Sequence, residues 1–252
     1  MTRLCVGVFC SASRAIPGHY VELAARMGAG IAQRGWDLVS GGENVSMMGA
    51  VAAAARAGGA HTLGVVTRRL LGKADLESDE LIVTESMGER KARMVASAHV
   101  LLVLPGGIGT CEELFEAWTG HILGVHAKPI VILDEGGYFS GLLSWLGGVG
   151  ERGFASRSAL DVVIRASNVA HALDACAGAG LLSGTPVIGT PLTGMPVAGM
   201  PVAGTPLVGA SVTGTPVTGA LVAGAPLVGA SVTGMPVTST AGSGMRRAGT
   251  LA

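Results

Sequence analysis

The sequence predicts an α/β fold: a Rossmann-like, mostly parallel sheet with helices on both faces, followed by a disordered low-complexity tail. Short apolar runs alternate with longer segments of helical periodicity through the first 180 residues, as βαβ units do. Loops at 10–13, 40–49 and 104–110 follow apolar runs and are rich in glycine or serine. Because ligands bind at the carboxyl ends of parallel strands, these loops are candidate binding elements.

The elements follow in chain order. Apolar runs bounded by glycine or polar residues predict strands at Leu4–Cys10, Asp37–Ser40, Thr62–Val66, Leu81–Thr84, Val100–Leu104, Ile130–Leu133 and Val162–Ile164. The segments between and after them predict helices at Gly18–Arg34, Met48–Ala57, Ser86–Ser97, Cys111–Val125, Tyr138–Gly147 and Asn168–Ala177.

The distribution of charge divides the chain in two. Charged residues are frequent up to Asp174, and the next one is Arg246. From about Thr185 to Thr238 a five-residue unit rich in Gly, Val and Pro repeats, and such a composition does not favour helix or sheet. We therefore predict a folded domain at 1–180 and a repeat tail at 181–252. A tandem DNA repeat with no selected role and a surface-anchoring segment remain alternatives for the tail.

Composition excludes several classes of protein. The formal net charge is zero, which argues against nucleic acid and anionic membrane surfaces as partners. Residues 1–180 contain no apolar run of the roughly 18 residues that a membrane span requires. The four cysteines lack paired spacing, so we expect free thiols and a cytoplasmic location. The six histidines lack metal-binding spacing, so neither metal nor cofactor is expected.

The most specific motif is Leu-Pro-Gly-Gly-Ile-Gly-Thr-Cys-Glu-Glu at 104–113. Converging backbone N–H groups and a helix N-terminus suit such a loop to an anion. In an alternative interpretation, Thr110 and Glu113 form a capping box. Cys111 is interpreted as a small apolar residue rather than a nucleophile, since no histidine has a suitable position.

A second motif, Met-Gly-Glu-Arg-Lys-Ala-Arg-Met at 87–94, opens the helix after the fourth strand. Arg90 and Arg93 share a helical face, and a cation there could reach both a phosphate and Glu113. A solvated charged face is the alternative. The loop 40–49 is either a tight turn capped by Asn44 or Ser46, or a wall of the site.

Together, LPGGIGTCEELFEAW, MGERKARM and SGGENVSMMGAVAAAARAGG resemble the LOG ("Lonely Guy") family, cytokinin riboside 5'-monophosphate phosphoribohydrolases that are often labelled lysine decarboxylases. The resemblance covers roughly residues 3–177. It implies a homodimer that cleaves the N-glycosidic bond of an N6-modified adenosine 5'-monophosphate, a small-molecule substrate, to free base and ribose 5-phosphate. A broad AMP nucleosidase and a non-catalytic nucleotide or molybdenum-cofactor carrier are alternatives; the retention of Arg90 and Glu113 argues against the carrier.

The resemblance also implies residue roles. The catalytic residues would be Arg90 and Glu113. The substrate-binding residues would be Met87, Lys91, Gly106, Gly107, Gly109 and Thr110. The chain departs from the family pattern GGGxxGLMG at two positions. It has Glu43 and Ser46 where the pattern has glycine. Glu43 adds a negative charge near the expected phosphate site.

Overall fold

The protein is described by a computed structural model that places residues 3–180. These residues form one parallel sheet with a layer of helices on each face. The predicted repeat tail, residues 181–252, lies outside the described residues and stays a prediction.

The described elements alternate between strand and helix. The strands are β1 (Cys5–Phe9), β2 (Asp37–Ser40), β3 (Thr62–Thr67), β4 (Glu80–Thr84), β5 (Val100–Val103), β6 (Ile130–Leu133) and β7 (Val163–Ala166). The α-helices are α1 (Gly18–Gln33), α2 (Ser46–Ala57), α3 (Met87–Ser97), α4 (Ile108–Ile122), α5 (Ser140–Glu151), α6 (Arg157–Leu160) and α7 (Val169–Gly180). Short 3-10 helices lie at Arg68–Lys73 and Glu135–Gly137.

The sheet has the order β4-β3-β2-β1-β5-β6-β7, and all its neighbouring strands are parallel. Every predicted strand is present with small differences at its ends, so the predicted fold class is confirmed. The chain runs outward from β1 to β4 and then returns to place β5 beside β1. This reversal opens a crevice at the carboxyl ends of β1 and β5, where α/β proteins bind ligands.

Two apolar layers hold the sheet between its helices. On β5, Leu102 packs in the layer under α1, α2 and α7, whereas Leu101 and Val103 pack in the layer under α3, α4 and α5. A central parallel strand is buried on both faces, which explains its continuous apolar sequence. In the first layer, Gly28 of α1 lies against the Val51 carbonyl of α2, where a Cβ atom would overlap backbone.

Within residues 3–180, no helix combines the length and apolar character needed to cross a bilayer.

Candidate active site

The predicted site residues come from α3 and from the loop that leads into α4. Both elements reach the carboxyl edge of the sheet near the crevice between β1 and β5. Arg90, on α3, is the residue that joins the loops of this edge. It contacts the end of β3, the loop after β2 and the second turn of α4.

The Arg90 side chain is buried and fixed by backbone acceptors. Its Nε donates to the Val65 carbonyl at 2.9 Å, and its Nη2 donates to the Gly41 carbonyl at 3.0 Å. A Cβ atom at Gly41 would overlap the guanidinium, so glycine is needed at that position. The helix that carries Arg90 begins at a good cap, since the Ser86 hydroxyl accepts from the Glu89 N–H. The alternative of a solvated charged face is therefore wrong for Arg90.

Glu113 faces Arg90 from α4. Its Oε1 lies 3.7 Å from Nη1 of Arg90, and its side chain is 8% exposed. Burial raises the pKa of the Glu113 carboxyl to about 7, and the positive charge of Arg90 only partly offsets this increase. Glu112 and Glu43 raise the pKa further, while Lys91 lowers it. Glu113 therefore titrates near neutral pH, as a general base should.

The glycine loop differs from its predicted capping arrangement. Helix α4 begins at Ile108 with Gly107 as its N-cap, rather than at Cys111. Thr110 lies inside the first turn, buried, and its side chain fills the space above Gly106. The capping box of Thr110 and Glu113 is thus wrong. The helix starts earlier because Ile108 and Gly109 already adopt helical geometry.

This arrangement exposes the start of α4. Gly107 and Gly109 are exposed, and the space above their Cα atoms is open. The Tyr138 hydroxyl donates to the Gly106 carbonyl at 2.9 Å and steadies the loop from the β6 side. The first N–H groups of a helix have no intrahelical acceptor and carry partial positive charge. The loop can therefore bind an anion through Gly107, Ile108 and Gly109.

Lys91 and Met87 flank Arg90 on α3. Lys91 is largely buried and pairs with both Glu112 and Glu116 of α4. Glu112 and Glu116 thus share one lysine. Met87 is exposed, and its sulfur lies 3.9 Å from Nη1 of Arg90. Met87 therefore contacts Arg90 directly, whereas Lys91 joins α3 to α4.

An apolar groove runs between α3 and α4, with a volume of about 840 Å³. Its lining includes Val95, Phe115, Leu123 and Val125, and Glu113 forms part of the wall. Leu123 and Val125 are 72% and 78% exposed. The groove therefore connects a large apolar surface with the buried carboxylate.

The loop after β2 closes the other side of the site. Glu43 is buried, with only 7% of its surface exposed. Ser46 is not the cap of α2, because the N-cap is Val45. Ser46 instead has a positive φ of 51°, and its buried Oγ has no hydrogen-bond partner among residues 3–180. The capping interpretation of Ser46 is wrong.

Sequence reasoning missed three groups at this edge: the carbonyls of Gly41 and Val65, and the Tyr138 hydroxyl. Backbone carbonyls leave no trace in a sequence. A tyrosine just after a strand is a weak signal that could have been followed. Among residues 3–180, no cluster of histidine, cysteine and acidic residues has the composition of a metal site.

Comparisons with known proteins decide the family. A family model described as "Possible lysine decarboxylase" matches residues 48–176. Over 176 residues the chain is 51% identical to the "Cytokinin riboside 5'-monophosphate phosphoribohydrolase" of Mycobacterium tuberculosis (strain ATCC 25618 / H37Rv), covering 68% of this chain and 92% of that protein. The chain belongs to the LOG family. The predicted family is confirmed.

A plant relative and a solved structure are less similar to the chain than this mycobacterial protein is. "Cytokinin riboside 5'-monophosphate phosphoribohydrolase LOG7" of Arabidopsis thaliana is 37% identical over 168 residues, which cover 66% of this chain and 76% of that protein. Among solved structures, the molybdenum cofactor carrier protein of Chlamydomonas reinhardtii superposes with a TM-score of 0.57 at 24% identity, covering 72% of this chain and 99% of that one. At this level of identity the likeness establishes a shared fold alone.

Proposed function

We propose that the protein hydrolyses the N-glycosidic bond of an N6-modified adenosine 5'-monophosphate, a cytokinin riboside monophosphate, to free base and ribose 5-phosphate. The observation that carries the proposal is the buried Arg90–Glu113 pair beside the exposed start of α4. LOG-family relatives with this activity in their names support it. The reaction requires only water as a second reactant, so no cofactor is proposed.

The 5'-phosphate is proposed to bind at the start of α4. Gly107 and Gly109 are exposed, and Thr110 shapes the loop by packing over Gly106. The partial positive charge of the helix end favours a dianion. A phosphate held there would place the attached ribose next to the second turn of α4, where Glu113 lies.

Glu113 is proposed as the catalytic carboxylate. Breaking the bond between the ribose and the base builds positive charge on the sugar, and a carboxylate beside the ring stabilises it. The bonding electrons leave with the base, whose ring nitrogen takes up a proton from solvent, while water adds its oxygen to the anomeric carbon and gives a proton to Glu113. A base with a pKa of about 7 is charged enough to act at neutral pH and basic enough to accept the proton.

Arg90 is proposed to hold the sugar–phosphate and Glu113 in register. Its Nε and Nη2 are occupied by backbone carbonyls, which leaves Nη1 directed toward Glu113. Nη1 can therefore donate to a ligand atom without any movement of the side chain. Met87 and Lys91, on either side of Arg90, are proposed to border the nucleotide.

A homodimer is proposed as the working assembly. The groove between α3 and α4 is apolar and open, with Leu123 and Val125 strongly exposed. Exposed apolar surfaces of this kind are typical of protein interfaces. Because Glu113 lines the same groove, a second copy seated there would complete the wall of the site on the α4 side. A cytoplasmic location is also proposed, since all four cysteines are free thiols.

One assay tests the activity. The full-length protein is incubated with isopentenyladenosine 5'-monophosphate, with AMP and with the unphosphorylated riboside, and the released base is measured. We expect release from the modified monophosphate and little from the riboside. Equal release from AMP would indicate a broad nucleosidase instead. Binding without release from any nucleotide would refute the hydrolase and favour a carrier.

A further inference from the structure

Glu43 has a rigid backbone at the carboxyl edge of the sheet. It follows β2, and its N–H lies 3.4 Å from the Met48 sulfur. A short antiparallel bridge joins Glu43 to Ala74, next to the hydrogen bond from the Asn44 N–H to the Lys73 carbonyl. The position of this residue is therefore fixed by contacts on both sides.

Glu43 is a buried residue, and within residues 3–180 its side chain has no hydrogen-bonding or ionic partner. The other buried carboxylates within residues 3–180 are satisfied: Asp75 pairs with Arg56, Asp134 with Arg165, and Glu113 with Arg90. The Glu43 carboxylate has no hydrogen bond or ion pair in the same part of the chain, although its residue is only 7% exposed. The Glu43 oxygens are not among the fully buried unpaired atoms of these residues, so they reach solvent and are open to a donor on a bound molecule. A bound molecule can supply the missing donor.

Glu43 and Arg90 meet at Met48, whose sulfur lies 3.4 Å from the backbone nitrogen of Glu43 and 4.0 Å from Nη2 of Arg90. The negative charge of Glu43 contributes to the raised pKa of Glu113. The Gly41 carbonyl, two residues earlier in the same loop, accepts from Arg90. Under the proposed function, the ribose occupies the space beside Arg90 and Glu113. Its 2'- and 3'-hydroxyls form a pair of neighbouring O–H donors, which suits the two acceptor oxygens of one carboxylate.

We propose that Glu43 is a substrate-binding residue whose carboxylate accepts hydrogen bonds from the ribose hydroxyls, so that the site selects ribonucleotides over 2'-deoxyribonucleotides. This inference rests on the proposed function. The same pairing of an acidic residue with ribose hydroxyls occurs in dinucleotide-binding α/β proteins. The LOG pattern quoted above has glycine at this position, so the contact would distinguish this chain from relatives that follow the pattern.

The test compares isopentenyladenosine 5'-monophosphate with its 2'-deoxy and 3'-deoxy analogues. Full-length wild-type protein, Glu43→Gly and Glu43→Gln are assayed at pH 8.5, above the pKa of about 7 of Glu113, so that its titration does not contribute. For each protein we take the ratio of kcat/KM for the ribo substrate to kcat/KM for a deoxy substrate, and we compare this ratio between proteins. The intrinsic lability of each substrate is the same in every assay and therefore cancels. Exposed Glu80, on β4, supplies the control variant Glu80→Gln.

We expect the ribo-to-deoxy ratio to fall about tenfold or more in Glu43→Gly, because one hydrogen bond to a charged group is lost. In Glu43→Gln, which keeps one acceptor oxygen, the ratio should fall less. In Glu80→Gln the ratio should match that of wild type. An unchanged ratio in both Glu43 variants would overturn the proposal. The proposal would also be overturned if Glu43→Gly instead removed the sensitivity of the enzyme to methylation of the N6 amino group of the substrate. In that case the base, and not the ribose, would be the donor to Glu43.

Calorimetry separates this inference from the proposed function. Dissociation constants of the three nucleotides are measured on Glu113→Gln protein with and without Glu43→Gly. If wild type releases no base but Glu43→Gly still abolishes the ribo preference in binding, the proposed reaction fails and the ribose contact stands. If wild type is active and the binding preference is unaffected by Glu43→Gly, the ribose contact fails alone.

Discussion

The guanidinium of Arg90 is fixed by two backbone carbonyls before it meets the carboxylate of Glu113. Nε and Nη2 donate to Val65 and Gly41, and Nη1 then lies 3.7 Å from Oε1 of Glu113. The pair does not depend on a substrate to assemble it. A charge arrangement that exists in advance costs no reorganisation during the reaction, which is the main source of electrostatic catalysis.

Replacing Arg90 with lysine should therefore damage activity despite keeping the charge. A single ammonium cannot satisfy Val65, Gly41 and Glu113 at their present positions. We expect kcat/KM for the monophosphate to fall about 10²-fold, the usual effect of misplacing a catalytic group by about 1 Å. Arg93→Lys, three residues further along α3 and only half-buried, is the matched control and should stay within about twofold of wild type. Full activity in Arg90→Lys would contradict the proposed role of the guanidinium.

The pH dependence of the reaction should report Glu113. Its carboxyl has a pKa raised to about 7 by burial, and only the deprotonated form can accept a proton from water. We therefore expect kcat/KM to be low at pH 5, to rise with pH through about 7 and to level off above it. Steady-state rates from pH 5 to 9 measure this profile. A midpoint near the ordinary glutamate value of 4.5 would show that another group limits the rate.

Two glycines of the loop should respond differently to alanine. A Cβ at Gly106 would overlap the Thr110 side chain, whereas the space at Gly107 is open. We expect Gly106→Ala to lower the free energy of unfolding by about 1–3 kcal/mol, as overpacking usually does. Gly107→Ala should leave stability within about 0.5 kcal/mol of wild type and raise KM for the monophosphate, because the added methyl crowds the phosphate.

Urea unfolding and substrate kinetics check these two variants. Gly141→Ala, on α5 with open space at its Cα, controls for the substitution itself. An unchanged KM in Gly107→Ala would place the phosphate elsewhere.

Most of the fold was predictable because its signals are local. Strands such as β5 and β6 are short, wholly apolar runs between polar residues, and parallel sheets bury both faces of such strands. Helix α6 was not predicted, because four residues are too few for a periodic pattern. The start of α4 was placed too late since a glycine-rich stretch favours loop on average, although Gly109 lies inside the helix and only Gly106 and Gly107 stay outside it.

The sequence predicted the parts of the site that consist of side chains, but not the parts that consist of backbone groups. Arg90 and Glu113 stand in recognisable motifs, and the structure brings them together. The carbonyls that fix Arg90 belong to residues 41 and 65, and their role depends on how β2, β3 and α3 pack. The burial of Glu43 likewise follows from the loop bridging to Ala74, a contact between distant segments that local patterns do not encode.

A charge in the groove between α3 and α4 should disrupt the proposed dimer. Val125 is 78% exposed and lines the groove, so Val125→Asp places a carboxylate in the proposed interface. We expect a shift toward monomer in light scattering, together with reduced turnover. Phe154→Asp, at a residue 84% exposed outside this groove, is the control and should leave the assembly unchanged. A wild-type protein that is already monomeric and active would refute the dimer.

Ser46 offers a test of backbone strain beside the site. Its φ of 51° lies in the left-handed region, and its buried Oγ has no hydrogen-bond partner in the part of the chain that the structure describes. A left-handed non-glycine residue costs about 1–2 kcal/mol, and replacing it with glycine removes this cost. Part of the resulting gain in stability is lost, because glycine has a larger backbone entropy in the unfolded chain. We therefore expect Ser46→Gly to raise the free energy of unfolding by about 0.5–1 kcal/mol.

Two further variants separate strain from the unpaired hydroxyl. Ser46→Ala removes the hydroxyl but keeps the strained backbone, so it reports the hydroxyl alone. Ala53→Gly, at an exposed position inside the same helix, should cost about 1 kcal/mol, because its backbone is already favourable for alanine. Opposite signs for Ser46→Gly and Ala53→Gly in urea unfolding would identify φ as the cause. Destabilisation by both variants would mean that the backbone at Ser46 is not strained and that the serine stabilises the fold in another way.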